Sequence, residues 1–181
     1  MIIALTGLHG SGKSYFARNI PPKYGFDILY KNDIIKRMCK EKEIENWHDW
    51  YIKSFNNNKE KTTIEVLSHI PTDKNIILDA IHSYDEWMIA KEYIKDIYLA
   101  VLIAPEDIRK ERRDEKDEEK DIKRISFWHS NDKCLLTESS WAFNGAATLE
   151  ENERSFLEFL KYINSKKIKE KVLERKIKLW K

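Results

Sequence analysis

The stretch Gly7-Leu8-His9-Gly10-Ser11-Gly12-Lys13-Ser14 decides how this chain folds. It fits the spacing G-x-x-x-x-G-K-[ST], and the apolar run Met1–Thr6 before it has the β-branched character of a buried strand. The residues Tyr15–Arg18 after it are of helical type, until Pro21 and Pro22 end the helix. Strand, glycine loop and helix in this order are the context in which the motif binds phosphate. The alternative is a glycine turn that binds no ligand.

The residue types in this loop suit a chain of phosphates. Glycine lacks a Cβ, so the backbone can take positive φ angles there and turn its N–H groups toward an anion. Lys13 would reach the β- and γ-phosphates, and the hydroxyl of Ser14 would bind Mg²⁺. The sequence therefore predicts an ATP site. We expect its ligands to be Gly7, His9, Gly10, Ser11, Gly12, Lys13, Ser14 and Tyr15.

The composition excludes several classes of protein. The chain has 181 residues, of which 41% are hydrophobic and 35% charged, with a net charge of +2. This length suits one α/β domain with a lid or tail, and the near balance of charge makes nucleic acid an unlikely main partner. No apolar run approaches the roughly 20 residues that span a bilayer. Without a signal peptide or metal-type cysteine spacing at Cys39 and Cys134, we expect a cytoplasmic protein.

Apolar segments that alternate with helical ones predict a mostly parallel five-stranded sheet in a three-layer α/β/α fold. After the first strand, the predicted strands are Phe26–Tyr30, Asn75–Asp79, Ile97–Ala104 and Trp141–Phe143. The predicted helices include two within 44–70, one over Tyr84–Lys95, one from Pro105 to about His129, and one opened by Thr148–Glu151.

This pattern predicts one α/β domain at residues 1–163, followed by a basic helical tail at 164–181. Within the domain, helices at about 33–70 would face the acceptor substrate, and the highly charged segment at about 105–130 would form a helical lid. The tail carries an imperfect apolar stripe on Lys166–Lys181, which we expect to dock on the domain. The alternatives are a dimer contact and an acidic partner.

Two acids follow strands and should face one cleft, because ligands of parallel sheets bind at the carboxyl ends of strands. Asp79 ends its strand and would hold Mg²⁺ together with Ser14. The alternative for Asp79 is a cap for the helix that starts after Ser83. Asp33 would accept a proton from a substrate hydroxyl or bind substrate, and the alternative is an N-cap.

Three arginines follow the fourth strand and share one face of the predicted helix, at Arg109, Arg112 and Arg113. Arginine suits a site that closes over a transferring phosphoryl group, and Arg112 is the preferred candidate. Because the surrounding segment mixes both charge signs, the alternative is a solvated helix held by i,i+4 ion pairs. His82 follows Asp79 and would either touch a phosphate or line the rim of the cleft as a polar residue.

These features resemble the nucleoside-monophosphate-kinase-like branch of the P-loop phosphotransferases. Within it the chain is most similar to dephospho-coenzyme A kinases and archaeal adenylate-kinase-related proteins. The resemblance implies the P-loop NTPase fold, with Asp33 as the acceptor-side acid, Arg112 as the lid cation and Asn144 on the adenine side. It is carried by Gly7–Ser14, Lys31–Ile34, Ile76–Ser83, Ala104–Asp114 and Asn144–Glu151.

The sequence thus predicts an ATP- and Mg²⁺-dependent phosphotransferase whose acceptor is a small metabolite such as a nucleotide, a nucleoside or dephospho-coenzyme A. Lys13, Asp33 and Arg112 would be its catalytic residues, and Arg109, Arg113 and Asn144 would help to bind ATP. A nucleotide-binding regulatory protein with little turnover is the main alternative. A polynucleotide 5′-kinase is disfavoured by the small net charge. The sequence does not decide whether the protein forms a homodimer.

Overall fold

The computed structural model describes the backbone of residues 1–179 and the side chains of residues 1–115 and 117–171. The strands are β1 (Ile2–Thr6), β2 (Phe26–Tyr30), β3 (Asn75–Asp79), β4 (Ile97–Ile103), β5 (His129–Ser130), β6 (Lys133–Cys134) and β7 (Trp141–Asn144). The helices are α1 (Lys13–Asn19), α2 (Lys31–Glu41), α3 (Trp47–Asn57), α4 (Lys59–Leu67), α5 (Tyr84–Tyr93), α6 (Glu106–Glu111), α7 (Lys116–Trp128) and α8 (Leu149–Leu179).

The central sheet has the strand order β2-β3-β1-β4-β7, and every pairing in it is parallel. This confirms the predicted five-stranded α/β fold. In the register of the sheet, Asp79 at the end of β3 pairs with Tyr30 at the end of β2 and with Leu5 in β1. The carboxyl ends of these three strands therefore open at the same edge, next to the phosphate loop.

Apolar layers cover both faces of the sheet. One face packs against α2, α4 and α5 through residues such as Ile35, Leu67 and Trp87. The other packs against α1 and α8, where Phe16, Phe143 and Phe156 meet. Because β1 lies in the middle of the sheet and is buried on both faces, its sequence is continuously apolar rather than alternating.

The lid differs from the prediction of one helix between Pro105 and about His129. It consists of α6 and α7, with a break over residues 112–115, and α7 leads into the small antiparallel pair β5–β6. The break ends the shared face that the spacing of the three arginines predicted. Arg112 turns toward Gly145, whereas Arg109 and Arg113 turn toward Asp121. Opposite charges across the lid decide this geometry more strongly than i,i+4 spacing does.

The start of α2 differs from the expectation, whereas the start of α8 agrees with it. Tyr30 takes the N-cap position of α2, so the alternative of Asp33 as an N-cap is wrong and Asp33 lies in the first turn. The predicted capping box at Thr148 and Glu151 is confirmed by reciprocal hydrogen bonds. From there α8 continues without interruption across the predicted boundary at 163/164.

Most of the predicted stripe on Lys166–Lys181 lies outside the residues whose side chains are described. Among the helices that the structure describes, none is long and apolar enough to cross a membrane.

Candidate active site

The phosphate loop joins β1 to α1 and contains three glycines with positive φ, of which Gly10 and Gly12 show most directly why glycine is needed. Gly10 has φ +73° and Gly12, the N-cap of α1, has φ +89°, both in the left-handed region. A Cβ at Gly10 would lie 2.5 Å from the carbonyl oxygen of Arg109, so the lid backbone approaches the loop closely there. The first-turn N–H groups of α1 have no intrahelical acceptor and are available to an anion.

The ammonium group of Lys13 lies over this loop. Its Nζ donates hydrogen bonds to the carbonyl oxygens of Gly7 and Leu8 at 2.9 and 2.8 Å. Burial, followed by repulsion from Arg124, lowers the pKa of Lys13 to about 8. A positive charge is thus held in a desolvated place, where an incoming phosphate would stabilise it strongly.

Ser14 and Asp79 meet beside the loop. The hydroxyl of Ser14 donates to Oδ2 of Asp79 at 2.9 Å. The alternative role of Asp79 as a helix cap has no support, because Ser83 caps α5 by accepting from the N–H of Glu86. A hydroxyl and a carboxylate oxygen side by side are the hard donors that Mg²⁺ prefers, so this pair fits the predicted metal.

An open cavity of about 480 Å³ lies above the loop and the strand ends, and we call it the phosphate-loop cavity. It joins the loop, the ends of β2 and β3, and the lid. Its lining residues are His9, Gly10, Gly12, Lys13, Ser14, Tyr15, Tyr30, Asn32, Asp79, Ala80, His82, Arg112 and Arg124. One continuous space therefore contacts both the phosphate loop and the acceptor side.

A second cavity of about 440 Å³ lies between α1 and the loop after β7, and we call it the β7 cavity. It shares Gly12, Tyr15 and Arg112 with the phosphate-loop cavity. Its walls are largely apolar. They are formed by Gly12, Tyr15, Phe16, Ile20, Leu102, Arg112, Gly145, Ala147, Leu149 and Asn152. A ligand with a flat apolar part and a charged part can therefore lie across both cavities.

The predicted adenine-side residue Asn144 does not line the β7 cavity. Its Oδ1 accepts from the N–H of Ala146 at 2.9 Å and so shapes the loop after β7. Gly145 lines the cavity instead, and a Cβ there would lie 2.0 Å from the carbonyl oxygen of Ser11. The two loops therefore pack backbone against backbone, and a substitution that enlarges Gly145 would displace the phosphate loop.

The three predicted lid arginines separate into two groups. Arg112 donates to the carbonyl oxygen of Gly145 at 2.8 Å and lines both cavities. Arg109 and Arg113 line neither cavity, and their side chains are only 7% and 5% exposed. Both donate to Asp121 on α7, at 2.7 and 2.8 Å. The structure thus places these two in an ion-pair network inside the lid, where Arg109 also donates to the carbonyl oxygen of His9 at 3.4 Å but faces neither cavity.

Sequence reasoning missed Arg124. It lies on α7, lines the phosphate-loop cavity and donates to the carbonyl oxygen of Gly7 at 3.3 Å. Burial lowers the pKa of its guanidinium, which still carries its charge near neutral pH. In a run of mixed charges the sequence carries no signal for such a residue, because it does not show that Asp121, one turn earlier on α7, is buried.

On the acceptor side, the structure places Asn32 rather than Asp33 in the cavity. Asp33 is 65% exposed and pairs with Lys36 at 3.4 Å on the outer face of α2. His82 lines the cavity, and its Nδ1 is buried without a partner. Burial, followed by repulsion from Lys31, lowers the pKa of His82 well below its ordinary value, so the ring is neutral.

A buried ion pair lies next to His82 on this side of the cavity. Nζ of Lys31 lies 2.6 Å from Oε1 of Glu86, and the two side chains are 3% and 4% exposed. Oε2 of Glu86 accepts from the backbone N–H of His82 at 2.9 Å. Burial, together with Glu86, raises the pKa of Tyr51 well above its ordinary value. The pair therefore connects α2 and α5 and fixes the backbone at His82.

The chain was compared with known proteins. A search of curated proteins found no match. Among solved structures, a gluconokinase from Sinorhizobium meliloti 1021 superposes with a TM-score of 0.63 at 13% identity, covering 93% of this chain and 95% of that one. A shikimate kinase from Aquifex aeolicus has a TM-score of 0.54 at 18% identity, with 89% and 96% covered. An APS kinase from Mycobacterium tuberculosis, in complex with AMPPNP and APS, has a TM-score of 0.57 at 13% identity, with 88% and 96% covered.

At these identities the solved structures establish the fold, which is that of the P-loop kinases. The predicted resemblance to P-loop phosphotransferases of the nucleoside-monophosphate-kinase-like type is confirmed at this level. A family model described as an AAA domain matches residues 3–138, from β1 through the lid and well over half of the chain. The chain therefore belongs to the AAA domain family and carries the fold of the P-loop kinases.

Proposed function

We propose that this protein is an ATP-dependent kinase that phosphorylates a hydroxyl group on a small metabolite. The single observation that carries the proposal is the phosphate-loop cavity. In one space it combines Lys13, the Ser14–Asp79 pair and two lid arginines, Arg112 and Arg124. Phosphoryl transfer needs little beyond positioning and positive charge around the transferred group, and this cavity supplies both.

The nucleotide would lie across the two cavities. Its base would enter the apolar β7 cavity against Leu102 and Leu149, and its phosphates would lie over Gly10–Ser14. Arg112 borders both cavities and would contact the phosphates between them. Lys13 would contact the terminal phosphates, and Arg124 would neutralise charge on the side of the lid.

Ser14 and Asp79 would hold Mg²⁺ when it is bound with the nucleotide. The ion would supply further positive charge to the phosphates. Asp79 lines the same cavity as Tyr30, Asn32 and His82, and its carboxylate would there orient a substrate hydroxyl.

The acceptor would occupy the part of the cavity near Tyr30, Asn32 and His82. Tyr30, Asn32 and His82 are uncharged, and Asp79 is the one charged residue that we place beside them among the described residues. Neutral amide, phenol and imidazole groups recognise hydroxyls and heterocyclic nitrogens better than carboxylates or phosphates. We therefore favour an uncharged acceptor such as a nucleoside or a polyol over a nucleotide or dephospho-coenzyme A.

A coupled assay of ADP formation tests this function. Nucleosides, polyols, nucleotides and dephospho-coenzyme A would each be supplied with ATP and Mg²⁺. We expect turnover above the ATPase background with at least one uncharged acceptor. Turnover with charged acceptors alone would contradict the acceptor class, and no acceptor-dependent turnover would contradict the kinase assignment.

Two neighbouring substitutions should separate the acceptor role of Asn32 from that of Asp33. Asn32→Ala removes a polar group that lines the cavity, so we expect the KM for the acceptor to rise about tenfold, the value of one net hydrogen bond. Asp33→Ala removes an exposed ion pair with Lys36, and such pairs contribute little, so KM should change less than about twofold. The reverse order in steady-state kinetics would restore the role that the sequence predicts for Asp33.

Nucleotide binding should take up a proton at alkaline pH, because the pKa of Lys13 is about 8 in the free protein. A bound triphosphate favours the ammonium form and raises this pKa, so affinity falls as the pH rises through about 8. Isothermal titration calorimetry in buffers of different ionisation enthalpy should show little uptake near about pH 7 and most of a proton near about pH 9. Equal uptake at both pH values would show that Lys13 keeps an ordinary pKa.

A further inference from the structure

The side chain of Asp121 on α7 is a buried meeting point between the lid and the phosphate loop. Only 5% of this side chain is exposed. Its Oδ1 accepts from the backbone N–H of His9 at 2.9 Å and from Nδ1 of the same residue at 2.7 Å. Its Oδ2 accepts from Arg109 at 2.7 Å and from Arg113 at 2.8 Å. A buried carboxylate is costly unless it is paired and hydrogen-bonded, and these four donors satisfy both of its oxygens.

The imidazole of His9 connects this cluster to Arg124. Its Nε2 lies 3.4 Å from Nη2 of Arg124, whose Nη1 donates to the carbonyl oxygen of Gly7. A carboxylate only accepts hydrogen bonds and a guanidinium only donates them. The ring of His9 therefore satisfies Asp121 and Arg124 together in one form, which is neutral, protonated on Nδ1 and bare on Nε2.

We propose that His9 is a positioning residue, whose imidazole is anchored by Asp121 and holds the guanidinium of Arg124 in place over the phosphate loop. This inference rests on the proposed kinase function, in which Arg124 neutralises charge on the phosphates from the side of the lid. Arginine side chains have many rotamers, and a fixed acceptor at Nε2 lowers the entropy lost when the phosphate is bound. The histidine in the loop thus contributes through its side chain and not only through its backbone.

The same geometry makes the arrangement depend on pH. A proton on Nε2 would place a second positive group against Arg124 and remove the acceptor. Among the side chains that the structure describes, the charged and titratable groups that face His9 are Asp117, Asp121, Arg109, Arg124 and His82. Burial, followed by Arg124, lowers the pKa of His9, although Asp121 opposes the shift. We expect kcat to fall as the pH drops through this lowered pKa, with a smaller change in the KM for ATP.

Two substitutions separate positioning from loop stability. In His9→Gln, the side-chain oxygen can take the place of Nε2 and accept from Arg124. In His9→Asn, the side-chain nitrogen can take the place of Nδ1 and donate to Asp121, but nothing faces Arg124. We expect kcat to fall about tenfold in the asparagine variant, to recover partly in the glutamine variant, and to lose its acid limb in both. A residue that only stabilised the loop would give the opposite order.

An additional comparison uses Arg124→Gln as background. If His9 acts through Arg124, His9→Asn should lower kcat about tenfold in the native background and less than about twofold in this one. Equal losses in the two backgrounds, or native kcat and pH profile in both single His9 variants, would overturn the proposal.

A measurement without turnover distinguishes failure of this inference from failure of the proposed function. Nitrogen-15 spectra of the histidine rings in the full chain should show His9 protonated on Nδ1 and bare on Nε2, with an Nε2 shift that changes in Arg124→Gln. A ring protonated on Nε2 would overturn the inference even in an active kinase. If the expected tautomer is found in a protein that phosphorylates no acceptor, the proposed function fails while the His9–Arg124 contact stands.

Discussion

Replacing Lys13 by methionine should abolish nucleotide-dependent activity, with kcat/KM reduced by about 10³-fold or more and ATP binding weakened in parallel. The ammonium lies at the phosphate loop, where it donates to the carbonyl oxygens of Gly7 and Leu8. Methionine keeps most of the apolar stem but cannot offset phosphate charge. Calorimetric titration with ATP and the coupled ADP assay would measure the two losses.

The fold should survive this substitution. Burial lowers the pKa of Lys13, which means that the charged form of this side chain is less stable in the folded state than in the unfolded chain. Removing the charge should therefore leave the melting temperature equal or higher. Lys23→Met is a matched control, since Lys23 is an exposed residue paired with Glu153 and lines neither cavity. Tight ATP binding in the Lys13 variant would contradict the assignment of the loop.

Replacing Arg124 by glutamine should lower kcat by about 10³-fold, while the KM for ATP changes only a few-fold. Its guanidinium is partly desolvated beside the phosphate loop, where a charge placed toward the transferred phosphate acts mainly on the transition state. Steady-state kinetics at saturating acceptor would separate the two constants. Arg124→Lys should restore part of the activity, because it keeps the charge but not the planar pair of donors.

The neighbouring Lys123→Gln removes the same charge from the exposed side of α7 and should leave kcat unchanged. Arg113→Gln should behave differently again. It removes a donor from the buried Asp121, so we expect a lower melting temperature by several degrees together with any loss of activity. If Arg124→Gln retained native kcat and Arg112→Gln did not, the lid cation would be Arg112, as the sequence predicts.

The fold could be predicted in some detail because its determinants are local. Five short apolar runs, each followed by a helical segment, specify parallel strands wherever they lie in the chain. The loop from Gly7 to Ser14 specifies its own turn, and the pairing of Ser14 with Asp79 follows from the rule that parallel strands present their carboxyl ends at one edge. The lid was predicted less well, since its break at 112–115 goes with the ion pairs that Arg109 and Arg113 form with Asp121 on α7.

What the sequence by itself determined is the phosphate loop, the five strands of the central sheet with the helices outside the lid, and the placement of Lys13, Ser14 and Asp79 in one cleft. Only the tertiary structure decided which of the many charged lid residues are buried. Asp121 meets His9 across 112 positions of sequence, and Arg124 meets Gly7 across 117. In a segment rich in both charge signs every arginine looks equivalent in sequence, because the desolvation and pairing that distinguish them arise only when distant segments pack together.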